Sequence, residues 1–407
     1  MRLLTAAHAL AALIVLPLAA SAQEAPPEPE NWDAVVEAAQ GSRVFWHAWG
    51  GDPRINDFIE WVGDELDARH DIDLTHVKLS DTAEAVSRVV AEASAGQDSG
   101  GAVDAIWING ANFAQMKEND LLFGPFADDL PNWRYIDTAE HPAITVDFTE
   151  PVDGLGAPWA LFRMVFEYDS AAVPEPPRDV DALRAWITEN PGRFTYPQPP
   201  DYLGTSFLKQ ILYGLVDDPQ VLMQPADDAD YDAVTEPLWA WLDAVTPDLW
   251  RSGRAYPQNE PALGQLLADG EIDIAFSFNP GRASAAIADF ELPDTVRTYV
   301  FERGTIGNAS FISIPYNAAN PAGAMVLANF IMSPQAQARA QNPQVLGFQT
   351  VLDLDRLPAD ERARFEALDL GIATLRPEEM GATLPEPHPS WMTRIAQDWQ
   401  ERYGVAE

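Results

Sequence analysis

The 407-residue chain carries 63 Asp and Glu against 25 Lys and Arg, a net charge of −38, and no cysteine. So negative a surface excludes nucleic acid and anionic membranes as partners. The missing thiols exclude disulfides, cysteine nucleophiles and thiolate metal sites. Acidic residues are scattered along the whole chain, which reads first as a solubilising surface and second as a field that steers cations.

Residues 1–22 read as a secretory signal peptide: Arg2, an apolar run over 3–20, then Ala20-Ser21-Ala22. The competing reading is an uncleaved anchor, for which the apolar run is barely long enough. With no cysteine to take a lipid, the export signal points to a soluble protein of the periplasm. About 385 residues remain after cleavage, enough for two lobes.

Residues 23–41 form a Pro/Glu-rich leader with a short helix over 32–40. Val44-Phe45-Trp46-His47-Ala48-Trp49 is an apolar strand that stops in Gly50-Gly51. Asp52 is then an N-cap and Pro53 a first helical residue. Ile55, Phe58, Ile59, Val62 and Leu66 mark one helical face. A second strand is predicted over 72–79. Asp81 and Glu84 form a capping box for the next helix. A third strand over 103–108 ends in Asn109-Gly110-Ala111-Asn112. This β-α-β-α-β order predicts a parallel sheet, with ligand outside the strands' carboxyl ends.

Residues 121–153 are loop-rich. A long β-type run follows over 156–168, containing Trp159, and suits a crossing between lobes. Further strands are predicted at 193–197, 272–278, 298–301 and 311–315, with 304–308 as a loop and helices at 206–215 and 236–245. The turns after two of these strands carry Tyr202-Leu203-Gly204-Thr205 and Asn279-Pro280-Gly281-Arg282. Residues 322–332 form an apolar helix followed by Ser333-Pro334-Gln335-Ala336-Gln337, and a terminal helix covers 391–403.

The return strand, Ile314-Pro315, the Ala-rich helix and the Ser-Pro-x-Ala-Gln run resemble type II periplasmic substrate-binding proteins of ABC transporters. Ala48-Trp49-Gly50-Gly51-Asp52, Trp107-Ile108-Asn109-Gly110, Ala157-Pro158-Trp159, Phe278-Asn279-Pro280, Ile306-Gly307-Asn308 and Glu386-Pro387-His388 narrow the resemblance to the YnjB family. It implies an α/β, two-lobed fold, each lobe a mainly parallel sheet flanked by helices. Lobe 1 is then 42–156 plus 304–340 and lobe 2 is 157–303. Residues 341–407 would be helices packing near a hinge. The resemblance also implies an inner-membrane permease with its cytoplasmic ATPase as partners, and a monomer.

The ligand cleft is expected between facing strand ends: Trp49, Gly50, Gly51, Asn109, Gly110 and Asn112 from lobe 1, Tyr196, Tyr202, Gly204, Thr205, Asn279 and Arg282 from lobe 2, and Trp159 and Asn308 near the hinge. Aromatic walls would supply area, while amides and helix N-termini would orient the ligand. No cofactor, metal or catalytic residue is expected: there is no adjacent Tyr pair, and His47 has no second histidine near it. The alternative class, a secreted hydrolase, lacks a Gly-x-Ser-x-Gly elbow and a His-Glu-x-x-His motif. The expected ligand is a small organic solute, with a thiamine- or polyamine-like cation favoured over a sugar or an anionic metabolite.

Overall fold

The computed structural model describes residues 26–376 and 379–404, so the expected signal peptide lies outside the described residues. Eleven strands are described, in chain order β1 (Arg43–Trp49), β2 (Asp73–Leu79), β3 (Ala105–Ile108), β4 (Val146–Asp147), β5 (Glu150–Pro151), β6 (Ala157–Arg163), β7 (Val165–Asp169), β8 (Ile274–Ser277), β9 (Val296–Tyr299), β10 (Thr305–Ser313) and β11 (Thr383–Leu384).

Local chemistry sets the first lobe. Asp52 accepts from the Arg54 N–H at 2.8 Å and Pro53 opens the helix Pro53–His70, whose Ile55, Phe58, Ile59, Val62 and Leu66 are buried. The Glu84 carboxylate accepts from the Ser80 and Asp81 amides at 3.0 and 3.1 Å, and Asp81 accepts from Ala83. β1 then pairs in parallel with β2 and β3. The return strand β10 runs antiparallel to β3 and β6, with β11 parallel at its edge.

The second lobe departs from the expected mainly parallel sheet. β7 is its centre, and β8 and β9 both run antiparallel to it. Ile274, Ala275, Phe276 and Ser277 of β8 are all buried. A strand buried on both faces has the same apolar pattern whichever way it runs. The strand expected at 193–197 survives only as a parallel bridge from Phe194 to Ile274.

Two apolar cores result. One gathers buried residues from Val35 to Leu161 and from Ala309 to Phe365. The other gathers them from Met164 to Ile306 and from Ala373 to Trp399. The chain therefore changes core three times, at 161–164, 306–309 and 365–373. Residues 341–407 divide between the cores: Leu346, Phe348 and Val351 join the first, while Trp391, Ile395 and Trp399 join the second.

Of the 304–308 stretch, read as a loop, residues 305–308 are the first half of β10, and every residue of that strand is buried. Gly307 is there for a close approach: a Cβ would lie 2.8 Å from the Phe162 carbonyl oxygen of β6. Two helices also start earlier than expected, at Tyr202 and Tyr231. The glutamine of the Ser-Pro-x-Ala-Gln run has a structural purpose. Gln337 Nε2 donates to the Trp159 and Ile331 carbonyls at 2.7 and 2.9 Å. Its Oε1 accepts from the Thr350 hydroxyl and the Val351 amide at 2.9 and 3.0 Å. All four of its bonding positions are used, fastening the helix Pro334–Gln341 to β6 beside the crossing.

Candidate functional site

A cavity of about 310 Å³ opens where the two lobes meet. Its floor is the pair of crossing strands, with Leu161, Phe162 and Arg163 of β6 and Gly307, Asn308 and Ala309 of β10. Its walls come from His141 and the segment 146–149 on one side, and from Met223, Pro385 and Glu386 on the other.

The 146–149 wall is a tight hairpin. Val146 pairs with Pro151 and Asp147 with Glu150, which leaves Phe148-Thr149 as a two-residue turn. Both turn residues sit at positive φ, +46° and +76°. Such turns favour Asn-Gly, and a β-branched Thr or bulky Phe there is strained. The strained turn holds Phe148 against the cavity, where it is 7 % exposed. Strain of this kind is retained where geometry serves function. Replacing Phe148-Thr149 by Asn-Gly relieves the turn but removes the buried ring, and is expected to cut ligand affinity at least tenfold, read by calorimetric titration.

Asp147 precedes that turn and is 1 % exposed. Its Oδ2 accepts from the Gly110 N–H at 2.5 Å, whereas Oδ1 has no hydrogen-bond partner among the described residues. Burial pushes its carboxyl up to about 8; the Gly110 N–H opposes that rise and the Glu386 charge adds to it.

Across the cavity lies a charge-paired polar group. Lys209 Nζ lies 2.5 Å from Glu386 Oε2, with both side chains 1 % exposed. Glu386 Oε1 accepts from the Tyr202 hydroxyl and from Asn308 Nδ2, each at 3.1 Å, and Asn308 also donates to the Tyr202 hydroxyl at 2.6 Å. The Lys209 ammonium faces the Phe148 and Tyr202 rings at 5.4 and 5.6 Å. An ammonium thus already rests between these two rings and a carboxylate. Arg163, 4 % exposed, donates to the Thr305 hydroxyl and to the Gly381 carbonyl, each at 3.1 Å, and to the Ala382 carbonyl. Burial lowers its pKa to about 10. His141 is pushed down by burial, so it is neutral at pH 7.

Of the residues singled out from sequence, Asn308 and Tyr202 belong to this network. Gly110 and Asn109 stand directly behind the cavity wall. Gly110 holds Asp147 and sits at φ +59°, where a Cβ would lie 3.4 Å from the Phe148 ring, while Asn109 donates to the Ala309 carbonyl at 3.4 Å. The structure does not bring the others to the cavity. Trp159 is fully buried and packs edge-on against Trp46 and Trp107. Tyr196 is fully buried and accepts from the Trp399 indole at 2.9 Å. Arg282 is held by Glu167 and by Glu260 at 3.6 Å, so its charge is already answered. Asn279 spans to the Leu346 carbonyl at 2.7 Å. Thr205 and Gly204 lie in the first turn of the helix Tyr202–Leu215, the hydroxyl bonded to the Asp201 carbonyl at 2.9 Å and the glycine against the Pro197 carbonyl. Trp49 is 41 % exposed at the end of β1; Gly50 packs on Lys78 and Gly51 on the Trp49 ring, and Asn112 is half-buried in the helix Gly110–Glu118. Asp147, Phe148, Arg163, Lys209 and Glu386 were not singled out as site residues. The available signals were Lys209 amid an apolar helix and Glu386 within the Glu-Pro-His motif.

Among the described residues, no cluster of His, Asp and Glu can hold a metal ion and no helix is long and apolar enough to cross a membrane.

Two α/β lobes, three crossings and a charged, aromatic cavity at the joint define a two-lobed solute-binding protein of the type II periplasmic fold. Residues 61–352 match the family described as bacterial extracellular solute-binding protein, and the chain belongs to that family. Protein YnjB of Escherichia coli (strain K12) is 40% identical over 375 residues, which cover 92% of this chain and 94% of that protein. Solved structures share the fold at low identity. The Tp0655 (TpPotD) lipoprotein of Treponema pallidum has a TM-score of 0.64 at 12% identity, covering 89% of this chain and 100% of that one. The spermidine/putrescine ABC transporter substrate-binding protein PotD of Streptococcus pneumoniae has 0.59 at 16%, covering 89% and 98%. The ferric binding protein of Campylobacter jejuni has 0.59 at 13%, covering 88% and 98%.

Proposed function

We propose that this chain is the periplasmic receptor of an ABC importer, exported by a cleavable signal peptide, and that it captures a small organic cation between its lobes. It acts as a monomer, makes and breaks no bonds in its ligand, and hands the ligand to an inner-membrane permease driven by a cytoplasmic ATPase. Family membership and the two-lobed fold support the transport role, as does the likeness in fold to the spermidine/putrescine ABC transporter substrate-binding protein PotD of Streptococcus pneumoniae.

The observation that carries the ligand class is Asp147. A buried carboxylate oxygen without a partner is costly, and here it stands on an aromatic-walled cavity. A ligand N⁺–H or quaternary nitrogen would answer it and lie against Phe148 and Phe162. The cavity's volume is at the small end for ligand sites, which fits a small solute.

A thermal-shift screen with amines, thiamine, betaines, sugars and organic acids tests this, because a ligand stabilises the native state in proportion to the logarithm of its concentration over Kd. Organic cations should raise the melting temperature. Stabilisation confined to sugars or dicarboxylates would overturn the ligand class.

A pH dependence follows. Below pH 8 Asp147 is protonated in the ligand-free protein and must lose its proton to receive a cation. Affinity for a permanently charged quaternary ammonium ligand should therefore tighten about tenfold per pH unit from pH 6 to 8 and level off above. Calorimetry in buffers of different ionisation enthalpy should show about one proton released per ligand at pH 6. A flat profile would remove Asp147 from the site.

A further inference from the structure

We propose that the ligand is a zwitterion, its cationic group on Asp147 and an anionic group, carboxylate or phosphate, on Arg163. This rests on the reading of the cavity as a solute site and adds the second half of the ligand.

The inference comes from counting charges around one cavity. Lys209 and Glu386 neutralise each other at 2.5 Å. Two ionisable groups on the lining then have no partner of opposite charge, and their charged forms have opposite signs. Asp147 has an unpartnered oxygen. Arg163 is as deeply buried, yet among the described residues no carboxylate lies within ion-pair distance of it; its partners are one hydroxyl and two carbonyls. Those three acceptors leave two of its five N–H donors free and leave its charge uncompensated. A guanidinium taken out of water normally has a counter-charge, and its planar fork is the protein group best suited to a carboxylate or phosphate. The chain as a whole has 63 acidic residues against 25 basic ones, so a buried arginine without an acidic partner is not explained by a shortage of carboxylates. Arg282 shows the contrast in the same protein, held by two of them.

A plain cation would satisfy Asp147 and leave Arg163 as it is, adding positive charge beside it. A plain anion would satisfy Arg163 and meet Asp147 and Glu386. A dication or polyamine would meet only one free carboxylate, because Lys209 already occupies the other. A ligand carrying one charge of each sign answers both groups at once.

The test uses matched triplets of probes on the full mature protein: an amine, the corresponding carboxylate, and the amino acid that joins them. Straight ω-amino acids of two to six carbons span the possible charge separations, and phenethylamine, 3-phenylpropionate and phenylalanine represent an aromatic body. Calorimetry is expected to show at least one amino acid binding tenfold or more tightly than both its amine and its carboxylate. R163Q should erase its advantage over the amine, and D147N its advantage over the carboxylate. R163K, which keeps the charge, should restore part of what R163Q loses, separating anion binding from the structural bonds to 381–382; melting curves of each ligand-free variant report folding. If amines bind as tightly as their amino acids and R163Q leaves them unchanged, the zwitterion is wrong while the cation receptor stands. If no amine and no amino acid binds, both fall.

Discussion

Asp147→Asn is expected to lower affinity for the ligand about 100-fold, roughly 2.7 kcal/mol, while making the ligand-free protein more stable. The two effects have one cause. In the empty cavity the carboxyl is held neutral, with its pKa pushed up to about 8, whereas in the unfolded chain it ionises near 4. A group whose folded pKa is raised contributes its full stability below the unfolded value and loses it as pH rises to the folded value. Wild-type protein therefore carries a cost at Asp147 that grows from pH 4 to pH 8, up to about 4 kcal/mol at pH 7. The amide keeps an oxygen for the Gly110 N–H and never ionises, so it removes that cost. Melting temperatures of the two proteins should coincide near pH 4 and diverge upward toward pH 8, with the variant higher. A variant that is less stable at pH 7 would show that Asp147 is a structural ion rather than a ligand group.

Lys209→Met is expected to destabilise the protein by about 3–5 kcal/mol, because it leaves the Glu386 carboxylate buried without its counter-ion. The cost should fall on the joint between the lobes. Glu386 also receives Tyr202 from the second lobe and Asn308 from the crossing strand, so an unpaired charge there loosens three segments. The double variant K209M/E386Q should recover most of the loss, since a neutral pair of similar shape carries no unpaired charge. Denaturant unfolding of the two single variants and the double variant measures this directly. Additive losses would show that the two residues act independently despite their contact.

The first lobe's order of strands and helices was legible because each strand end carries turn and cap chemistry that acts locally: Gly50 after β1, Asp52 with Pro53, Asp81 with Glu84. The direction of the smaller sheet was not. β8 is buried on both faces, so nothing in its side chains records whether β7 runs with it or against it. β10 was half hidden because Gly304 and Gly307, read as loop residues, serve its close approach to β6 and to the carbonyl of Ala382.

The site was legible only in part. Asn308 and Tyr202, singled out near the hinge and at a turn, lie in the polar network beside the cavity, and Gly110, noticed at a strand end, holds Asp147. The hairpin that lines the cavity left no turn signature, because its central residues are Phe148 and Thr149 where Asn-Gly would have announced it. Trp159 and Tyr196 have the composition of binding aromatics and the burial of core ones. Arg282 was attractive because a cation at a helix start is disfavoured by the dipole; the reason it is tolerated is Glu167, 115 positions earlier, and no local pattern reveals that pairing.

A crystal structure of the protein with the most stabilising compound from the screen examines the cavity most directly. The ligand's nitrogen should lie about 3 Å from Asp147 Oδ1 if it carries a proton, or against Asp147 and the Phe148 ring if it is quaternary. A ligand bound instead at the exposed end of β1, around Trp49 and Asn112, with Asp147 still unpartnered, would contradict this.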